Sequence, residues 1–266
     1  MRMMVLFRKE LADQRQNLAL FVPAVLVGLV SMCIPVLIAI VVPYVSGERL
    51  SDSSDFQVAV EMYKTRPEMR SLDPEGAIQA YIFQYFLVML VLVPVTSAMS
   101  VAAFSVVGEK QARSLEPLLA TPITTFELLG GKVLGAFVPS VVLTVASIAV
   151  YLVITAATAR PGVFWTLLSP RSLALVFLMG PLAALAALQM AVCVSSRVND
   201  ARTAQQVGAL VILPIAGLLV AQIFGILELT IPVVLGIALG LAVVNAGLMW
   251  LAIVLFDRET ILTRWK

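Results

Sequence analysis

The stretch from Leu18 to Tyr44, LALFVPAVLVGLVSMCIPVLIAIVVPY, contains no charged residue. It is longer than the roughly 20 residues that an α-helix needs to cross a hydrocarbon core about 30 Å thick. Backbone N–H and C=O groups in lipid must bond within their own segment, so such a stretch is expected to be helical. The stretch therefore predicts a transmembrane helix.

The rest of the chain repeats this pattern. Of its 266 residues, 61% are hydrophobic and 13% are charged, whereas a soluble domain carries about 25% charged residues. The sequence therefore predicts an all-α, polytopic membrane protein with six transmembrane helices, in which residues 1–266 form one transmembrane domain. The further runs without Asp, Glu, Lys or Arg are Ala77–Val107, Val133–Ala159, Ser172–Ser196, Thr203–Leu227 and Leu229–Phe256.

The distribution of basic residues predicts the orientation. An even number of spans places both termini on one side of the membrane. Twelve of the 18 Lys and Arg residues fall on that side and six on the other. Because Lys and Arg are enriched in cytoplasmic segments, both termini are predicted to be cytoplasmic.

Residues 1–16 carry an apolar stripe near helical spacing, formed by Met3, Met4, Phe7 and Leu11. The stripe predicts an amphipathic helix that lies in the cytoplasmic interface before the first span. A frayed, charged leader is the alternative interpretation.

The sequence lacks the residues that several classes of protein function require. The chain has no histidine, which removes His-based zinc sites, Ser–His dyads and histidine proton relays. A phosphate-binding P-loop requires Ser or Thr after its lysine, but Val133 follows Gly130-Gly131-Lys132. We therefore expect no catalytic residue, metal site or bound cofactor in this chain, and no nucleic-acid partner.

Uncharged polar residues within the spans are candidates for a substrate path. The alternative is that they hold helices together, because buried amides and hydroxyls bond across helices. The pairs Gly131/Gly135 and Gly236/Gly240 are expected to allow close helix contact, and the prolines at positions 94, 139, 181 and 214 to kink their helices. The candidate path residues are Gln84, Ser97, Gln222 and Asn245.

A charged island, GEKQARSLEPLLAT from Gly108 to Thr121, separates the second and third spans. Ser114 can cap a short helix from Leu115 to Ala120 with an apolar ridge of leucines. Thr124 and Glu127 then form a capping box that opens the third span. Such a helix exceeds what a connector needs and indicates a docking segment.

The island, continued by Pro122 and Glu127-Leu128-Leu129-Gly130-Gly131-Lys132, resembles the corresponding stretch of type-2 ATP-binding-cassette (ABC) permeases. Members carry Gly-Glu-[Arg/Lys], then Leu-Glu-x-Leu-Leu-[Ala/Ser]-[Thr/Ser]-Pro and Glu-Leu-Leu-x-Gly-Lys between their second and third spans. Arg8-Lys9-Glu10-Leu11 is also similar to the Lys-Glu-Leu leader of that family. The resemblance covers essentially the whole chain.

The resemblance implies that two permease chains, identical or close paralogues, pair in the plasma (inner) membrane of a prokaryote. Two copies of a cassette ATPase, which bind ATP and Mg, would dock beneath them. Glu109–Thr121 would form the main coupling helix, and Arg197–Gln205 would form a smaller second contact. The expected coupling residues are Gly108, Glu109, Lys110, Arg113, Leu115, Glu116, Leu118, Leu119, Thr121, Arg197, Asp200 and Arg202.

The leading functional hypothesis is a permease subunit of an ABC exporter that is not itself an enzyme and works by alternating access among membrane lipids. An ATPase-independent secondary carrier or channel is the first alternative. The absence of ionisable residues at mid-span weighs against a proton-driven carrier. An integral-membrane enzyme acting on lipid is the second alternative.

Overall fold

The computed structural model describes residues 2–52, 56, 69, 71–111, 124–195, 198, 200–224 and 226–255. All regular secondary structure in these ranges is helical, and six helices are long and apolar enough to cross a membrane. The prediction of an all-α, six-span membrane protein is confirmed. The predicted coupling helix at residues 115–120 lies outside the described residues.

The chain begins with the N-terminal helix, Arg2–Gln16. A short helix, Val163–Leu167, precedes the fourth span. The fifth and sixth spans are separate, as predicted, because one helix ends at Ile223 and the next begins at Ile231. The six spans are Leu18–Ser46, Pro74–Glu109, Phe126–Thr158, Pro170–Ser195, Ala201–Gln222 and Ile231–Leu255.

Two spans begin at side-chain caps, and one of these is the capping box that the sequence predicted. The Asp73 carboxylate accepts a hydrogen bond from the Gly76 N–H at 3.1 Å. Thr124 and Glu127 form the predicted capping box, in which the Glu127 N–H donates to Thr124 Oγ1 at 3.2 Å and the Thr124 N–H to Glu127 Oε2 at 3.0 Å. These bonds satisfy N–H groups that a helix start otherwise leaves unpaired.

Irregular helix geometry precedes most of the intramembrane prolines. Leu37–Val41 and Leu175–Met179 are π-helical, ahead of Pro43 and Pro181. The second span divides into Pro74–Met89 and Leu92–Gln111, ahead of Pro94. Proline removes one helical N–H and clashes with the carbonyl four residues earlier, so the distortion falls on that turn.

The other two prolines predicted to kink their helices differ from each other. Ala209–Val211 is a 3₁₀ turn, ahead of Pro214 in the fifth span. The third span continues as one α-helix, Thr125–Thr158, through Pro139. The helix is therefore not interrupted at Pro139, although this residue donates no helical hydrogen bond.

The second span is the centre of the bundle. It is buried along almost all of its length and contacts the first, third, fourth and fifth spans, while the fourth also contacts the sixth. Phe83 and Tyr151 mark this core: the Tyr151 hydroxyl donates to the Phe83 carbonyl at 2.7 Å, and their rings meet edge to face. The first, third, fifth and sixth spans expose apolar faces.

Candidate functional site

The N-terminal helix packs closely against the start of the third span. A Cβ atom added at Gly131 would lie 2.7 Å from Leu6 Cβ, and one added at Gly135 would lie 2.7 Å from Glu10 Cβ. Only glycine permits this approach of the two helices. The prediction that the Gly131/Gly135 pair allows close contact is confirmed, whereas no atom of the described chain lies within 4 Å of a Cβ added at Gly236 or Gly240.

The buried face of the N-terminal helix is partly polar. Leu6, Glu10 and Gln14, spaced four residues apart, are buried, and Gln14 Nε2 donates to the Gly135 carbonyl at 2.9 Å. Met4, in the apolar stripe noted in the sequence, is 57% exposed. The predicted helix is confirmed, but sequence reasoning missed the face through which it contacts the bundle.

Lys132 lies at the centre of a group of charged and polar side chains, which we call the charge cluster. Its members are Lys9, Glu10, Ser105, Glu109 and Lys132. The Lys132 side chain is 2% exposed, and its ammonium group lies 3.0 Å from Glu10 Oε1 and 2.7 Å from Glu109 Oε2. Lys132 also donates to Ser105 Oγ at 2.8 Å, and Ser105 Oγ in turn donates to Glu10 Oε2 at 2.7 Å. Three elements therefore converge on one ammonium group.

Lys9 closes the cluster on its exposed side by a hydrogen-bonded ion pair with Glu109. Burial acts to lower the pKa of Lys9, but the hydrogen bond and charge of Glu109 outweigh it and hold the pKa above its usual range. Lys9 is therefore charged at neutral pH. The two lysines balance Glu10 and Glu109, and this matters because a buried charge without its partner is strongly destabilising.

The cluster links the two spans between which the island lies. Glu109 is three residues before the undescribed residues 112–123, and Lys132 follows them in the third span. The Glu109–Lys132 ion pair therefore joins the two helix ends that flank this segment, and Glu10 ties the N-terminal helix to them. Any force applied to residues 112–123 acts on spans linked at this point.

The remaining coupling candidates have varied surroundings. Gly108 is exposed, and among the described residues no atom outside the backbone of its own helix lies within 4 Å of an added Cβ. Asp200 caps the fifth span and accepts from the Thr203 N–H at 3.2 Å, and the backbone N–H groups of Arg202 and Thr203 hold the pKa of its carboxyl below its usual range. Arg202 is exposed. The candidates outside the described residues are Arg113, Leu115, Glu116, Leu118, Leu119, Thr121 and Arg197, together with the side chain of Lys110.

The side chains of three of the four path candidates form hydrogen bonds between elements. Gln84 Nε2 donates to the Thr166 carbonyl at 3.0 Å, Ser97 Oγ accepts from Ser140 Oγ at 2.9 Å, and Asn245 Nδ2 donates to the Leu182 carbonyl at 2.9 Å. Gln222 is buried. These bonds join different pairs of elements, so they agree with the alternative of interhelical hydrogen bonding. A substrate path along these residues stays a prediction.

Sequence reasoning missed Glu10, Gln14 and Ser105. The available signal was Lys132 itself, because a lysine inside a long apolar helix requires a carboxylate partner. Within the ranges that the structure describes, no His, Cys, Asp and Glu side chains are grouped so as to hold a metal ion. The cluster is suited to holding helices together electrostatically.

Comparison with known proteins agrees with this architecture. A family model described as "ABC-2 family transporter protein" matches residues 4–248, which include most of the N-terminal helix, the island and nearly all of the six spans. Neither a curated protein nor a solved structure matches the chain. The family match spans far more than half of the sequence, and the chain therefore belongs to the ABC-2 family of transporter membrane proteins.

Proposed function

We propose that this chain is the permease subunit of an exporter whose alternating access is driven by ATP hydrolysis on two copies of a separate cassette ATPase. Membership of the ABC-2 transporter family supports the permease role. The sequence contains no Gly-x4-Gly-Lys-[Ser/Thr] motif with which to bind ATP itself. The observation that carries the proposal is the ion pair between Glu109 and Lys132, which links the end of the second span to the first turns of the third span, on either side of residues 112–123.

The first step of the mechanism is docking. Residues 112–123 receive the ATPase through Arg113, Glu116 and the leucine ridge, while Asp200 and Arg202 lie in the second contact. Glu109 acts within the chain through Lys9 and Lys132. Glu109 therefore contributes to coupling by holding in position the helix ends beside the docking segment.

The second step is transmission through the bundle. Closure of the ATPase dimer displaces residues 112–123, and the charge cluster makes the second span, the third span and the N-terminal helix move together. Because the second span is the centre of the bundle, its displacement changes the contacts of the first, fourth and fifth spans. The permease pair has two global states, and the closed ATPase dimer binds one of them more tightly than the other. Because ATP closes the dimer, ATP favours that state.

The assembly includes a second permease chain, identical or a close paralogue, in the inner membrane of a prokaryote with both termini cytoplasmic. The first, third, fifth and sixth spans have exposed apolar faces. These faces are available to contact the second permease chain and lipid. Gln84, Ser97, Gln222 and Asn245 are the residues from which we propose that a substrate path would be formed.

Co-purification of the tagged chain with a co-expressed cassette ATPase tests the proposal. We expect the chain alone to hydrolyse no ATP and to retain the ATPase in detergent. Leu118→Asp should release the ATPase because it places a charge in the proposed ridge, and Leu239→Asn, at a 70% exposed position of the sixth span, is the control that should retain it. Hydrolysis by the pure chain, or equal retention by both variants, would contradict the proposal.

A further inference from the structure

The second span is interrupted near its middle, where the helix Pro74–Met89 ends and the helix Leu92–Gln111 begins. Backbone N–H groups at this break donate at 3.1 Å to carbonyls three residues earlier, and they belong to Leu90, Val91 and Val93. Pro94 follows and has no N–H to donate. Because 3₁₀-type bonding inside a long helix often marks a hinge, the second span alone would be expected to bend here.

The third span passes the break as an uninterrupted α-helix, Thr125–Thr158. Gly28 of the first span shows which part of it lies alongside. A Cβ atom added at Gly28 would be 3.5 Å from Ser147 Oγ of the third span and 3.6 Å from Val93 Cγ2 of the second. The third span is therefore a regular helix at the level where the second span is not.

The N-terminal half of the second span, Pro74–Met89, is bonded to the third span and to the residue that follows its end. The hydroxyl of the buried Tyr151 donates to the Phe83 carbonyl at 2.7 Å. The Arg160 N–H donates to Gln79 Oε1 at 3.0 Å. These bonds fix this half relative to the third span.

The C-terminal half, Leu92–Gln111, is bonded to the same helix. Ser140 Oγ donates to Ser97 Oγ at 2.9 Å, and both side chains are buried. Further along, the Lys132 ammonium group lies 2.7 Å from Glu109 Oε2. Polar bonds to one continuous helix are therefore present on both sides of the break.

This arrangement opposes bending of the second span. If the two halves changed their angle, at least one of them would have to move relative to the third span and lose its bonds. The hydrocarbon core offers no water to replace a lost hydrogen bond. The polar bonds nearest to the break, those of Tyr151 and Ser140, are the ones that a change of angle at the break would strain first.

We propose that Tyr151 and Ser140 are positioning residues through which the third span holds the two halves of the second span at a fixed angle. The two spans then move as one rigid unit, from the charge cluster to the start of the second span. Its place in transport rests on the proposed function: a displacement of residues 112–123 is carried across the membrane instead of being absorbed at the break. The rigidity itself does not depend on the ATPase.

Pairs of spin labels measure this rigidity in the chain alone, in lipid nanodiscs and in a variant without Cys33 and Cys193. The pair Phe104→Cys and Val153→Cys reports on the C-terminal half against the third span, and the pair Pro74→Cys and Val142→Cys on the N-terminal half. All four positions are exposed. We expect one narrow distance distribution for each pair. A broad or two-peaked distribution for either pair would overturn the proposal.

The double variant Ser140→Ala, Tyr151→Phe should widen at least one of these distributions by about twofold or more, because it removes both bonds beside the break. Ser31→Ala, Tyr85→Phe is the matched control. Its hydroxyls bond instead to the Val27 carbonyl of the same helix and to the Leu219 carbonyl of the fifth span, so its distributions should stay narrow. Equal widths in the two double variants would also overturn the proposal.

The same label pairs in the assembled complex separate this proposal from the proposed function. On trapping with ATP and vanadate, both distances should stay unchanged in the parent, while labels at Tyr44→Cys on the two permease chains move relative to each other. The variant Ser140→Ala, Tyr151→Phe should still hydrolyse ATP but now change at least one of the two distances. A change in the parent would show that the break is a hinge. An unmoved Tyr44 pair with rigid spans would contradict only the proposed function.

Discussion

The ammonium nitrogen of Lys132 lies 2.7 Å from a carboxylate oxygen of Glu109. Lys132 belongs to the first turns of the third span, and Glu109 is the last residue of the second. The same ammonium group lies 3.0 Å from Glu10 of the N-terminal helix. One lysine thus connects three helices beside the segment proposed to receive the ATPase.

Lys132→Met should destabilise the protein strongly, because it leaves Glu10 and Glu109 buried without this partner. Loss of one member of a buried charge group typically costs about 3–5 kcal/mol. The free energy of unfolding in mixed micelles measures the effect. Lys132→Arg, which keeps the charge, should lose much less, and Glu10→Gln added to Lys132→Met should restore part of the loss. Equal stability of Lys132→Met and wild type would show that the ion pairs do not form.

Gly135→Ala should push the N-terminal helix away from the third span. The added Cβ would lie 2.7 Å from Glu10 Cβ, so we expect a destabilisation of about 1–3 kcal/mol from overpacking. Gly236→Ala is the matched control, since nothing in the described chain lies within 4 Å of its Cβ. Thermal unfolding in detergent distinguishes the two, and similar midpoints for both variants would contradict the observed contact.

Asp200 should titrate below the ordinary aspartate pKa of about 3.9. Its carboxylate accepts from the N–H groups of Arg202 and Thr203, which favours the charged form in the folded protein. The contribution of this cap to stability is therefore present above about pH 4 and is lost as the pH falls through the lowered pKa.

A ¹³C chemical-shift titration of labelled aspartate, assigned with Asp200→Asn, measures this pKa. Thr203→Val removes the hydroxyl that lies 3.1 Å from the carboxylate and should move the midpoint upward. A midpoint at or above the ordinary value in the wild type would argue against the cap.

The sequence was sufficient for features that depend on local patterns. Charge-free runs located all six spans, and the capping-box pattern located the start of the third span at Thr124. The charge cluster could not be predicted in this way, because Glu10 and Lys132 are brought together only by the packing of distant helices. In the sequence, Glu10 and Gln14 look like part of an exposed polar helix face. They are buried because the glycines of the third span let the N-terminal helix approach closely.

The predicted orientation can be tested by cysteine labelling in a variant without Cys33 and Cys193. The twelve-to-six distribution of basic residues predicts that Val60→Cys reacts with an impermeant maleimide added to intact cells. Arg113→Cys should react only after the cells are permeabilised. Labelling of position 113 from outside, or protection of position 60, would reverse the assignment of the termini.

The central claim is that a separate ATPase moves this chain through its coupling segment. The most direct measurement is the distance between spin labels at Tyr44→Cys, an 89% exposed position at the end of the first span, on the two permease chains of the assembled complex. We predict that trapping with ATP and vanadate shifts this distance, and that an ATPase lacking its P-loop lysine gives no shift. A complex that hydrolyses ATP with an unchanged distance, or a shift without the ATPase, would contradict the account.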